Sequence, residues 1–239
     1  MRLGRRYGFV APAIVLFALA GCAAFGPKGA GKGPCGAGYT NLLEGTGRTG
    51  SHLVVHAGSQ DAWSLGADGV LRCWGGQGGW IGTREDDWGD FDLKLEYRIP
   101  KEGNSGVYIR RPLAGDGAYT GMEIQVIDDD ARHWGTLQAW QLTGSIYHEV
   151  APAVRATKPA GTWQSMEIIA EGPIVRVVIN GVQVVHANLD EFTTTTAQDA
   201  APLKDRPRRG YIGFQNHGSG VEYRNVCVRR LGADAGRDR

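Results

Sequence analysis

From residue 90 to residue 99 polar and apolar side chains alternate almost without a break, as Asp90-Phe91-Asp92-Leu93-Lys94-Leu95-Glu96-Tyr97-Arg98-Ile99. A period of two fits a β-strand with one buried face. Pro100-Lys101-Glu102-Gly103 then reads as a turn, residues 104–111 as the next strand and residues 119–128 as a third. Arg98, Arg110, Glu123 and Gln125 fall inside these strands, where a purely structural sheet needs no such groups. Two of these strands side by side would present charge and hydrogen-bonding groups on a rigid floor. That floor is the expected functional surface.

The remaining chain repeats the pattern in shorter pieces. Residues 63–74 read as a hairpin turning at Ala67-Asp68-Gly69, and residues 175–186 as one turning at Asn180-Gly181. Residues 163–170 form a strand and 142–147 a short one, while 210–218 and 221–228 read as a closing hairpin. The glycine cluster at 75–83 lacks the spacing and following helix of a phosphate-binding loop and is expected to be a bend. Residues 129–141, with Trp134 and Trp140, have little periodicity and read as a long loop with room for a short helix. There is no amphipathic helix of useful length and no internal repeat. Many short strands between turn signals specify a sandwich or a barrel, and two antiparallel sheets packed face to face fit best. At 239 residues and 42% hydrophobic, the chain can bury the core of one large all-β domain.

The ends carry a different signal. Arg2, Arg5 and Arg6 precede an apolar run at 9–20 that is too short for a comfortable membrane span. The run closes on Leu19-Ala20-Gly21-Cys22, a bacterial lipobox pattern, so residues 1–21 are expected to be a lipoprotein signal peptide and Cys22 the lipidated first residue. An ordinary secretory signal cut nearby is the alternative. Residues 22–38 read as a flexible linker, 39–232 as the domain and 233–239 as a disordered tail. The expected location is therefore outside the cytoplasm, in the periplasm or at the cell surface, held to a membrane by the lipid. Without the leader the chain has 23 basic and 25 acidic side chains, with no basic block, which argues against a nucleic-acid partner. Cys35, Cys73 and Cys227 match no zinc motif, and one disulfide or three thiols are both open.

Several motifs occur in a fixed order. Gly89-Asp90-Phe91-Asp92-Leu93, Gly103-Asn104-Ser105-Gly106-Val107-Tyr108 and Glu123-Ile124-Gln125-Val126-Ile127-Asp128 come first. Thr143-Gly144-Ser145-Ile146-Tyr147, Lys158-Pro159-Ala160-Gly161-Thr162-Trp163, Asn180-Gly181 and Ile212-Gly213-Phe214-Gln215-Asn216-His217-Gly218 follow. Over about residues 60–231 the set resembles the 3-keto-disaccharide hydrolase domain, also called DUF1080. The resemblance implies a concanavalin A-like jelly roll, of the lectin/glucanase type. It also implies activity on glycosides already oxidised at C3 by a separate nicotinamide-dependent oxidoreductase. The chain departs from the family pattern in its long 128–142 segment and in Asn216, where Asp is common.

A ketone at C3 acidifies the hydrogen at C2. A base can then remove it, the C1 substituent leaves by elimination, and water can add to the product. Such a site needs a base, a group that stabilises the enolate oxygen and an acid for the leaving group. His217 and Glu123 are the candidate bases, against the plain readings of a polar loop residue and a solvated outer face. Lys158 could polarise the keto oxygen or simply be solvated. Gln125, sharing a strand face with Glu123, together with Asn104, Gln215, Arg98 and Arg110, could bind hydroxyls; for the arginines, cross-strand ion pairs are the alternative. Tyr147, Trp134 and Trp140 could stack on a pyranose, whereas Trp63 and Trp163 are expected in the core. Asp128, with Asp129 and Asp130, offers oxygens to a divalent metal, the one cofactor left open, although an acidic surface turn is the commoner use. There is no nucleophile elbow, paired-Cys motif or His-Glu-x-x-His motif. The expected function is cleavage of a 3-keto glycoside; a carbohydrate-binding module or a cell-surface interaction domain on the same scaffold is the alternative.

Overall fold

Short strands with one apolar face need a partner layer to bury it. The computed structural model of the protein, which describes residues 35–232 apart from 46 and 77, supplies two such layers. In chain order the elements are β1 (Thr40–Asn41), β2 (Leu53–Ala57), β3 (Trp63–Leu65), β4 (Leu71–Cys73), β5 (Trp80–Thr83), β6 (Phe91–Arg98) and β7 (Asn104–Arg111). They continue with α1 (Gly117–Thr120), β8 (Met122–Ile127), β9 (Gln164–Glu171), β10 (Ile174–Ile179), β11 (Val182–Asn188), β12 (Tyr211–Gln215) and β13 (Val221–Arg230). One sheet runs β11-β10-β9-β6-β13-β4-β3, with β1 also paired to β13. The other runs β2-β5-β12-β7-β8. The strand pairs are antiparallel, and the fold is an all-β jelly roll. The leader, Cys22, most of the expected linker and the tail at 233–239 lie outside the described residues.

The alternation in β6 is realised as expected. Leu93, Leu95 and Tyr97 enter the core, while Lys94, Glu96 and Arg98 face outward and pair across the sheet with Glu167, Arg224 and Glu222. β7 has no such exposed face, because every one of its residues is buried. Val107 and Ile109 join the core, and the opposite side is roofed by the segments that follow β7 and β8. That difference separates two strands that are adjacent in sequence. β6 lies in the sheet with the charged outer face and β7 in the middle of the other, so the floor is not built from the two together. Residues 210–228 behave alike. β12 and β13 do not form a hairpin, because the turn between them carries the chain from one sheet to the other.

Smaller expectations are also revised. Residues 142–147 form no strand, but Ile146 makes isolated bridges to Ile124 and Val150, so the segment lies along the free edge of β8. The glycine cluster ends in β5, whose Trp80 backbone pairs with Gln215. Trp163 is not core; it is half-buried between the guanidinium groups of Arg98 and Arg224, 4.9 and 4.1 Å from its ring. Cys35 and Cys227 form a disulfide, and Cys73 is a buried thiol.

Candidate active site

The outward face of the five-stranded sheet holds the site. On β8, Met122, Ile124 and Val126 point into the core, so Glu123 and Gln125 must point the other way. Gly106, opposite Gln125 on β7, makes room for the acid: a Cβ at Gly106 would come within 2.1 Å of Glu123 Oε1. Gln215 of β12 donates from Nε2 to Glu123 Oε2 at 3.2 Å. These residues line a cleft of about 140 Å³ with Asn104 from β7, Tyr147, His217, and Asp116 and Tyr119 from the loop and short helix after β7.

Glu123 is only 3% exposed. Burial pushes its carboxyl up to about 8, with Asp116 adding to the rise and the Arg111 guanidinium opposing it. Other groups in and beneath the cleft have unmet hydrogen-bonding capacity. Asn104 Oδ1, Gln215 Oε1 and Arg111 Nε are buried without a partner among the described residues, a condition that is costly unless a ligand or water completes it. Gln125 Oε1 accepts from Val126 N, which leaves its amide nitrogen as the free end. Aromatic rings form the rim. Trp134 meets His217 edge-on at 5.2 Å, and Tyr147 lies 5.3 Å from Trp140 and 6.3 Å from Tyr119.

The supports are built from the same local rules. Asp116 caps α1 by accepting from Ala118 N, and buried Arg206 holds the end of the helix through the carbonyls of Ala118 and Gly121 while pairing with Glu149. Asn216 donates to Gly75 O and accepts from Gly218 N, fixing the turn that presents His217. An aspartate carboxylate could not make the first of these bonds. The Asn departure from the family pattern is therefore absorbed by the turn rather than by the cleft.

The expected site residues divide. Glu123, Gln125, Asn104, Gln215, Tyr147 and His217 converge on one cleft. Arg110 does not. It is fully buried with φ at +48°, and its guanidinium donates to Gly89 O and Gly172 O and pairs with Asp90, so it clamps the interior. The left-handed residue breaks the alternation of β7, with a register irregularity against β12, and gives the outward face to Arg111 instead. Arg111 then stacks 4.1 Å from Trp80 and 4.9 Å from Tyr108 and binds the carbonyls of Pro112 and Gly115. Strict alternation selects the wrong arginine, and only the bulge identifies the right one. Asp116 was hidden in a Gly-rich loop with no periodicity to mark it, and Tyr119, expected at the start of the third strand, lies instead in α1, because that strand begins only at Met122.

Arg98 is on the outer face of the other sheet, paired with Glu222. Lys158 and Asp128 line a separate cavity. The Asp128 oxygens accept from Glu102 N and Asp130 N, and among the described residues no three His, Cys, Asp or Glu side chains are grouped to hold a metal.

A jelly roll whose sheet carries an acid, amides and a rim of aromatic rings in one cleft defines a carbohydrate-active protein of the glycosyl hydrolase-like kind. The chain belongs to the 3-keto-alpha-glucoside-1,2-lyase-like domain family, which it matches over residues 38–229. A 3-keto-disaccharide hydrolase of Bacteroides thetaiotaomicron is 26% identical over 206 residues, covering 71% of this chain and 70% of that protein. A Parabacteroides distasonis crystal structure provisionally named a glycosyl hydrolase superposes with a TM-score of 0.70 at 25% identity, covering 81% of this chain and 99% of that one. A second from the same organism gives 0.68 at 27% identity, covering 82% and 94%.

Proposed function

We propose that the protein cleaves glycosides oxidised at C3, by removal of the C2 proton and elimination at C1. The observation that carries this reading is Glu123, a buried carboxyl held near 8 in a cleft it shares with the amides of Asn104, Gln125 and Gln215 and with His217. Once ionised, such a group is a stronger base than an exposed carboxylate. It takes the C2 proton, and the electron pair moves into the C2–C3 bond as the ketone becomes an enolate. The enolate re-forms the ketone, a double bond forms between C1 and C2, and the C1–O bond breaks. His217, at the mouth, hands a proton to the departing oxygen. Addition of water across the C1–C2 double bond completes a hydrolysis; release before that step makes the reaction a lyase. The free amide nitrogen of Gln125 supplies a donor to the developing enolate, and Asn104 Oδ1 and Gln215 Oε1 accept from sugar hydroxyls.

The substrate must come from a separate enzyme that oxidises C3, a nicotinamide-dependent oxidoreductase in this reading. The protein acts outside the cytoplasm, tethered to a membrane through a lipid on Cys22. The Cys35–Cys227 disulfide supports an oxidising compartment. Assay of 3-keto-trehalose with and without chelator tests the proposal. Product release that Glu123→Gln abolishes is expected, and ligand retention with no turnover would instead identify a binding module.

A further inference from the structure

A second cavity, of about 140 Å³, lies where β6 runs out beneath the loop at 155–160, and none of its residues belongs to the Glu123 cleft. It would hold roughly five waters, or one six-membered sugar ring. Tyr97 forms part of its wall. That residue is 1% exposed and its hydroxyl, near Thr143, has no partner within hydrogen-bond distance among the described residues, an arrangement that costs stability unless a ligand completes it. Buried Gln164 fixes the backbone of Lys158 beside it, accepting from Lys158 N at 2.9 Å and donating to Lys158 O at 2.7 Å. Lys158 is exposed, and among the described residues its ammonium has no ion-pair partner.

The charges select the ligand. Asp128 and Asp129 already accept from backbone N–H groups, Asp129 also accepts from Thr157, and Arg155 pairs with Asp130 at 2.9 Å. A free anion meets these carboxylates and a free cation meets Lys158 and Arg155, so neither gains net attraction. A neutral ligand rich in hydroxyls can accept from the ammonium and both donate to and accept from the phenol. We infer that this cavity is a second carbohydrate site, holding one neutral pyranose ring through the Tyr97 hydroxyl and the Lys158 ammonium. The inference rests on the family's carbohydrate ligand and is independent of the catalytic role given to Glu123.

Methyl α-glucopyranoside, which has no ketone and cannot undergo the elimination, is the probe. Its binding to the full chain is measured by calorimetry and by saturation-transfer NMR. Binding should persist in Glu123→Gln and weaken at least tenfold in both Tyr97→Phe and Lys158→Met, with turnover of 3-keto-trehalose unchanged in those two. Tyr97→Phe removes a hydroxyl with no partner, so its melting temperature should hold or rise without sugar, which separates lost binding from lost folding. The inference is overturned if the wild type shows no binding, if binding survives both substitutions, or if it disappears only in Glu123→Gln. Loss of turnover in Glu123→Gln alone bears on the catalytic reading and leaves this one standing.

Discussion

Glu123 is a residue whose catalytic usefulness costs stability. Its carboxyl sits at about 8 in the folded protein against an ordinary value of 4.5. Between those values the folded state keeps a proton that the unfolded chain has released, so this residue makes stability fall as pH rises. Glu123→Gln imitates the neutral acid. It should abolish turnover by a factor of at least about 10², yet unfold at a higher urea concentration than wild type at pH 8, with the advantage vanishing below about pH 4.5, near the ordinary carboxyl value. A variant that is equally or less stable at pH 8 would show that the carboxyl is not held in its neutral form.

At the scale of elements, most of the site was legible because β8 is regular. Alternation alone placed Glu123 and Gln125 together, and the motif that spans the end of β12 supplied Gln215 and His217. The same rule misassigned Arg110, because one left-handed residue cannot be read from a period of two. Pattern also says which face of a strand is buried but not which strand lies beside it: the expectation of two such strands side by side named no pair, and the fold sets β7 beside β8 and puts β6 in the other sheet. The bulge gives a prediction of its own. Arg110→Ala removes a fully buried guanidinium from two carbonyls and Asp90, and should lower stability by about 3–5 kcal/mol in urea unfolding. KM of the remaining folded protein should change little, since Arg110 lies outside the cleft. An Arg110→Ala protein of wild-type stability would refute the clamp.

The whole molecule divides its work between two sheets. The eight-stranded sheet closes the core and exposes a charged ladder, while the five-stranded sheet carries the cleft. The disulfide belongs to the first, tying Cys35, in the segment expected to be linker, to Cys227 on β13, 192 residues away. Cys35→Ser should therefore cost about 2–4 kcal/mol while leaving turnover per folded molecule intact, which unfolding and activity measured on the same preparation would check. No periodicity could have announced that pairing, since three cysteines allow several arrangements. The central chemical claim is transfer of the C2 proton to Glu123. The most direct measurement uses 3-keto-trehalose carrying deuterium at C2. Cleavage should slow relative to the unlabelled sugar, release the label to solvent, and stop in Glu123→Gln; cleavage with the label retained at C2 and no isotope effect would contradict the account.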